Sequence, residues 1–272
     1  MSMPLYRKVL TYFLLTVMGV VVFAPTILAF WLSFMSNEDI FSGNFFSPKL
    51  TFDNYILAFE RFPLWSYLIN SFIVSLVIMM GQLIVASLAA YAFVFLKFKG
   101  RNALFFLFLA TMMIPFEASI IPNFQTIRDA GLLNTYSGLA LPFLATAFGT
   151  FLLRQNFKQI PYELKEASEI VGMGDFRFYL TVVLPTAKTS LVTLGVYGFL
   201  SAWNMYLWPL LATTDDTVRT VQIGLKQLQS QEQMNEWGVM MAGAVIVAIP
   251  TLLLLFLGQK QLQKGLTEGA IK

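Results

Sequence analysis

Trp203, Asn204 and Tyr206 fall within about one helical turn of an apolar stretch. Together they offer an aromatic face beside an amide, the pairing that a sugar ring's C–H surface and hydroxyls call for. Asn70 and Gln82 place further amides in a second apolar stretch, beside Ser71, Ser75 and Ser87. Polar side chains in apolar surroundings are costly and are functional candidates by default. Asn204, Trp203, Tyr206, Asn70 and Gln82 are therefore the candidate substrate-pathway residues. Other readings stay open: Trp203 and Trp208 as interfacial aromatics, and Ser and Asn as hydrogen-bonding links between helices. Glu117 reads as structural, paired with Arg128. The chemistry is recognition rather than bond-making. With no cysteine and no histidine, disulfides, thiolate nucleophiles, iron–sulfur ligation and nearly all zinc sites are excluded. No catalytic residue and no metal ligand is expected.

The elements that must position these groups follow from composition. Hydrophobic residues make up 57% of the 272 positions and charged residues 12%, against about 25% charged in soluble domains. So few charges could not cover a water-exposed surface, so the apolar side chains face lipid. The net charge of +3 is small and its basic residues are dispersed, which argues against nucleic acid. The pattern predicts an all-α polytopic membrane protein. Six stretches are long enough to cross a bilayer: 9–34, 67–96, 103–121, 136–153, 189–211 and 237–257. The first has Arg7 and Lys8 before it but is too long for a signal's apolar region, with a poor cleavage site around Pro25, so it reads as a retained helix. Pro250 marks a kink in the sixth.

Of the 18 basic residues, all but Lys49, Arg61, Arg128, Arg219 and Lys226 fall on one side of this layout. The richer side is cytoplasmic by the positive-inside rule, which puts both termini inside. Three segments face outward, about Met35 to Ser66, Pro122 to Thr135 and Ala212 to Glu236; the first and last are long for connectors and read equally as surface loops with a short helix or as a docking surface for an external partner.

The inward loop 154–188 carries the most specific pattern. Ile160-Pro161 ends one helix and starts another. Leu164, Ala167, Ile170 and Val171 recur on one face, with Glu163, Lys165, Glu166 and Glu169 as the polar remainder. Gly172-Met173-Gly174 breaks that helix, Asp175 is placed to cap the next, and Phe176, Tyr179, Leu180 and Val183 form its apolar stripe before Leu184-Pro185 closes it. Two short amphipathic helices meeting at an angle are expected.

Glu166-Ala167-Ser168, Gly172 six positions after the glutamate, and Leu184-Pro185 together resemble the "EAA" loop of binding-protein-dependent ABC importer permeases, with Ser168, Met173 and Val182 standing where that pattern has Ala, Ala and Ile. Asn70-Ser71, Ile114-Pro115 to Pro122, and Trp203 to Pro209 resemble the carbohydrate-uptake branch, the maltose- and glycerol-3-phosphate-like permeases, and the resemblance covers almost all of the chain from Pro48 onward. It implies a single permease domain over 1–272 with a type I ABC importer fold in the bacterial inner membrane. The implied partners are a second permease in a heterodimer, two ATPase subunits and an extracytoplasmic solute-binding protein, with lipid around the spans. By resemblance, Glu166, Ala167, Ser168, Gly172, Leu184 and Pro185 couple the chain to the ATPase: Glu166 pairs with a basic group there and Gly172 supplies the bend. The chain has no G-x4-G-K-[S/T] phosphate loop, so it is expected to bind no cofactor itself, with ATP and Mg on the ATPase. The expected function is import of a sugar, oligosaccharide or polyol phosphate such as sn-glycerol-3-phosphate. An anionic substrate would call for Arg or Lys within the spans, and none is evident. The rival is a stand-alone ion-coupled transporter, which would need buried carboxylates and internal symmetry. A weaker third possibility is a membrane assembly factor that transports nothing.

Overall fold

The computed structural model describes residues 4–230 and 236–267. The chain termini, expected in the cytoplasm, and part of the last outward segment lie outside the described residues. In chain order the helices are α1 (Leu5–Leu32), α2 (Asn37–Ser42), α3 (Asp53–Arg61), α4 (Leu64–Phe95), α5 (Arg101–Ala110), α6 (Phe116–Asp129), α7 (Tyr136–Ala140), α8 (Ala147–Phe157), α9 (Tyr162–Ile170), α10 (Asp175–Phe178), α11 (Leu184–Thr186), α12 (Lys188–Trp203), α13 (Leu207–Ala212), α14 (Val221–Ser230) and α15 (Trp237–Thr267). Among the described residues the only β pairing is an isolated bridge between Met35 and Leu50. The all-helical expectation holds for them.

Three helices, α1, α4 and α15, are each long and apolar enough to cross a membrane. Three bent pairs pass the same test only when taken together. Residues 101–113 meet 116–129 at 98°, 136–143 meet 147–157 at 50°, and 175–186 meet 188–203 at 81°. The stretch expected as one span over 103–121 is thus broken at Ile114. That residue is extended (φ −90°, ψ 114°), because the residue before a proline is disfavoured in the helical region and Pro115 donates no N–H. In the 136–153 stretch, Leu141–Phe143 is a 3₁₀ turn with Pro142 at its start, and extended Thr146 caps α8 by accepting the Gly149 N–H at 3.4 Å. The stretch expected over 189–211 stops at Trp203 and restarts at Leu207. Pro209 explains the gap, since its ring would clash with the Met205 carbonyl in a continuous helix. Pro250 lies inside α15, which runs on without interruption.

Two compact units are distinguished. The first holds the described residues up to Leu64 and those of Gly224–Ile249. Here Asn54, on α3, donates to the carbonyls of Ser33 (2.9 Å) and Met35 (2.8 Å). Gly238 packs so closely on Asn54 that a Cβ would lie 2.5 Å from its Nδ2. Arg61 pairs with Glu236. The Asp39 carboxylate organises the turn after α2 by accepting from Ser36 Oγ, Asn44 Nδ2 and the Lys49 N–H at 2.8–2.9 Å.

The second unit holds Trp65–Ile223 and the described residues from Pro250 onward, and α4 is its spine. Toward one end of α4, Val74 and Ile78 pack with Ile127, Leu139, Ala140, Ala202, Trp208 and Ala212. Toward the other, Ala86, Ala90, Tyr91 and Phe95 pack with Leu153, Phe157, Ile160, Phe178, Tyr179, Val183, Ala187 and Leu194. This second cluster seats the loop after α8.

Candidate functional site

The loop begins at Pro161, which serves as the N-cap of α9. Its end is a Schellman motif: the Gly172 N–H bonds to the Glu169 carbonyl (3.0 Å) and the Met173 N–H to that of Ser168 (2.8 Å). Gly172 has φ +75°, a left-handed conformation that costs an L residue about 1–2 kcal/mol. The next helix starts at Asp175 with Gly174 as its N-cap. Asp175 therefore does not cap, contrary to expectation, because its carboxylate is engaged elsewhere. Leu184-Pro185 closes the helical run as expected: it ends at Thr186, before an 81° bend into α12. Residues Tyr179–Val183 widen into a π turn and α11 follows directly. Pro185 has no N–H for the Thr181 carbonyl, so the ladder re-registers around it.

The buried face of α9 is not its apolar one. Lys165 (4% exposed) and Ser168 (6%) are buried, whereas Leu164 (46%), Ile170 (86%) and Val171 (74%) are exposed. Glu163, Glu166 and Ala167 lie on the exposed side with them. Lys165 Nζ stands 2.8 Å from Asp175 Oδ1 and 3.0 Å from Glu169 Oε1, and over the Phe178 ring at 5.5 Å. Tyr91 of α4 donates its hydroxyl to the same Asp175 oxygen at 3.0 Å. Burial works against the Lys165 charge, but the bonds to Asp175 and Glu169 outweigh it and raise its pKa. The Lys165 ammonium, then the Tyr91 hydroxyl, hold Asp175 below its ordinary value. Ser168 satisfies its buried hydroxyl on the Lys165 carbonyl at 2.7 Å, so serine fits where the resembling pattern has alanine. In the following segment Phe178, Tyr179 and Val183 are buried, and the Tyr179 hydroxyl lies 2.7 Å from Ser87 Oγ. Phe176 (67%) and Leu180 (46%), expected in the same buried stripe, are exposed.

Loop and spans therefore form one tied structure: α9 is held to α10 by Lys165, α10 to α4 by Tyr91, and the π turn to α4 by Ser87. What is left free is an apolar face with two carboxylates at its edge. Sequence periodicity found that face but could not show that it turns away from the protein's own core. Lys165 and Tyr91 were not singled out by their sequence context.

The amides of the spans occupy two settings. Asn70 (4% exposed) donates to the Thr217 and Arg219 carbonyls, each at 2.9 Å, and accepts from the Tyr136 hydroxyl at 2.6 Å. Ser71 Oγ accepts the Val221 N–H at 2.8 Å. Both residues hold the 217–221 segment onto α4. Gln82 donates to the Phe143 carbonyl at 3.0 Å, while its buried Oε1 has no hydrogen-bond partner. Trp203 is buried and stacks on Phe199 with centroids 5.9 Å apart. Asn204, exposed at the end of α12, donates to the Leu200 carbonyl at 2.8 Å. Because the helix stops there, Trp203, Asn204 and Tyr206 do not share a helical turn. Trp208 is fully buried and donates to the Gly138 carbonyl at 3.2 Å, which places it in the protein interior. Arg128 pairs with its neighbour Asp129 at 2.9 Å. It lies about three turns from Glu117 along α6, too far for the expected pair.

Residues 82–268 match the family described as "Binding-protein-dependent transport system inner membrane component". The sn-glycerol-3-phosphate transport system permease protein UgpE of Agrobacterium fabrum is 37% identical over 267 residues, covering 94% of each chain. Its counterpart in Rhizobium meliloti is 41% identical over 74% of this chain and 72% of its own. Among solved structures, a chain of a bacterial ABC transporter involved in the import of the acidic polysaccharide alginate superposes with a TM-score of 0.86 at 25% identity, covering 94% of this chain and 96% of that one. A chain from a bacterial alginate ABC transporter in complex with an alginate pentasaccharide-bound periplasmic protein shares the fold, with a TM-score of 0.68 at 14% identity and 93% coverage of each. The chain belongs to the binding-protein-dependent transport system inner-membrane components, and it is a permease subunit of an ABC importer, a transport component and not an enzyme.

Proposed function

We propose that this chain crosses the bacterial inner membrane six times with both termini in the cytoplasm, pairs with a second, different permease, and is driven by two ATPase subunits that receive α9. The observation that carries this reading is the inverted burial of α9. Lys165 and Ser168 face inward, and Leu164, Ile170 and Val171 face out beside Glu166. A surface helix that exposes its apolar side needs a partner for it, and the basic loops around it support a cytoplasmic side for that partner. Glu166 meets a basic group on the ATPase. The Lys165–Asp175–Tyr91 chain carries movement of α9 into α4. ATP and Mg bind to the ATPase, and an extracytoplasmic solute-binding protein delivers the substrate to the opposite face.

The substrate class is a polyol phosphate or a sugar. A relative matched along 94% of this chain is named for sn-glycerol-3-phosphate, and a structural neighbour for the import of an acidic polysaccharide. In α4 and at the end of α12 this chain offers amides and hydroxyls, Gln82 and Asn204 among them. It therefore contributes hydrogen bonds along the pathway, while the second permease or the binding protein meets the substrate's charge. ATP-loaded vesicles holding the whole complex test the reading. Glu166→Lys combined with Ile170→Asp should leave this chain in the membrane at normal amount, while ATPase co-purification and sn-glycerol-3-phosphate uptake fall at least about tenfold, the loss of one buried charge-assisted contact. Unchanged association and uptake would refute the docking role of α9.

A further inference from the structure

The turn between α4 and α5 carries Lys97, Lys99 and Arg101 within five positions. These line an open cleft of about 570 Å³ together with Phe98, Gly100, Asn102 and Ala103. Among the described residues no carboxylate lies within ion-pair distance of any of the three cations. Lys97 instead stands over the Tyr162 ring at 5.9 Å. Arg101 spends one nitrogen on the Val94 and Leu96 carbonyls at 3.2 and 3.1 Å, which leaves the other guanidinium donors available and fixes the base of the cleft to the end of α4. A fourth cation lies one turn along α5, outside the cleft's lining. Arg154 is buried (7% exposed), packs its guanidinium on the Phe105 ring at 3.8 Å and leaves Nε without a hydrogen-bond partner. Phe105 follows Arg101 by one turn on the same face of α5. Three cations with no ion-pair partner among the described residues are thus gathered at the start of α5, whose first turn holds no acidic side chain, and Arg154 packs one turn further on. Beyond the cleft, along α5, the surface turns apolar: Leu104, Phe106 and Leu107 are exposed.

We propose that this cleft binds the phosphodiester headgroup of an anionic membrane lipid. The basic lining meets the phosphate, and the exposed Leu104, Phe106 and Leu107 of α5 meet the acyl chains. That order along the helix axis is what a membrane–water boundary demands. The inference needs α4 and α5 to be membrane-embedded, and it does not depend on what docks on α9.

The test is native mass spectrometry of the chain, purified with the subunits that accompany it, from nanodiscs of phosphatidylglycerol or phosphatidylcholine. Phosphatidylglycerol should be retained and phosphatidylcholine not. Lys97→Gln with Lys99→Gln should weaken retention by about tenfold or more, given the usual worth of a basic residue near an anionic surface. Lys97→Arg with Lys99→Arg should restore it, which separates charge from fold. Equal retention of the two lipids by the unaltered complex would overturn the proposal without recourse to any variant. So would protection by inorganic phosphate alone with no lipid retained, since that would make the cleft a site for a free anion.

Discussion

The ammonium of Lys165 stands 2.8 Å from the Asp175 carboxylate, across the Gly172 turn that separates their helices. This one bond joins the two arms of the loop, and through the Tyr91 hydroxyl on the same carboxylate oxygen it joins both to α4.

Lys165→Met should therefore loosen the loop and separate ATP hydrolysis from uptake. The Asp175 side chain is half exposed, so solvent screens the pair and the stability loss should be about 1 kcal/mol. Uptake per ATP hydrolysed should fall several-fold, and Lys165→Arg should recover part of it. Parallel uptake and ATPase assays on the complex read both.

At Gly172 the constraint is backbone conformation alone, because an added Cβ would meet nothing within 4 Å. Gly172→Val should cost more than the roughly 1–2 kcal/mol of a left-handed L residue, being β-branched. Gly172→Asn should cost less, since asparagine visits that region more readily. Thermal melting of the complex ranks the three.

Removing the Asn70 amide deletes two donated bonds and one accepted one. Asn70→Ala should destabilise by about 2–3 kcal/mol, since the Thr217 and Arg219 carbonyls lose their donor. It should also speed protease cleavage between Thr214 and Arg219. A substrate role alone would lower uptake without changing cleavage, so the two readouts separate pathway from scaffold.

Asp39 titrates below its ordinary value because its carboxylate accepts the Asn44 amide, the Lys49 backbone N–H and the Ser36 hydroxyl. A carboxyl whose pKa is depressed on folding adds stability above its unfolded value and loses it as pH falls through the folded one. The 36–49 turn should thus be unaffected between pH 6 and pH 8, to take about two units around neutrality, and should loosen only in acid below about pH 4. Pepsin cleavage near Phe45 and Phe46, followed across the acid range, reads this. Asp39→Asn should raise trypsin cleavage at Lys49 at neutral pH.

The amino-acid sequence alone determined whatever depends on composition and on local backbone chemistry. Few charges and long apolar runs made the chain a membrane protein. Pro161 and the left-handed Gly172 set the ends of α9 through their own φ preferences, wherever the rest of the chain lies. The same local rule placed the breaks at Pro115 and Pro209, although hydropathy averaged across them and read continuous spans. Tertiary structure decided what depends on partners distant in the chain. Periodicity identifies an apolar face on α9 but not the direction it faces. Lys165 goes inward because Asp175 and Tyr91, brought in from two other helices, compensate for burying its charge, and Leu164, Ile170 and Val171 are thereby turned outward. Asn70 illustrates the same point. A lone amide in a hydrophobic run looks poised for substrate, and only the fold brings the Thr217 and Arg219 carbonyls and the Tyr136 hydroxyl to it.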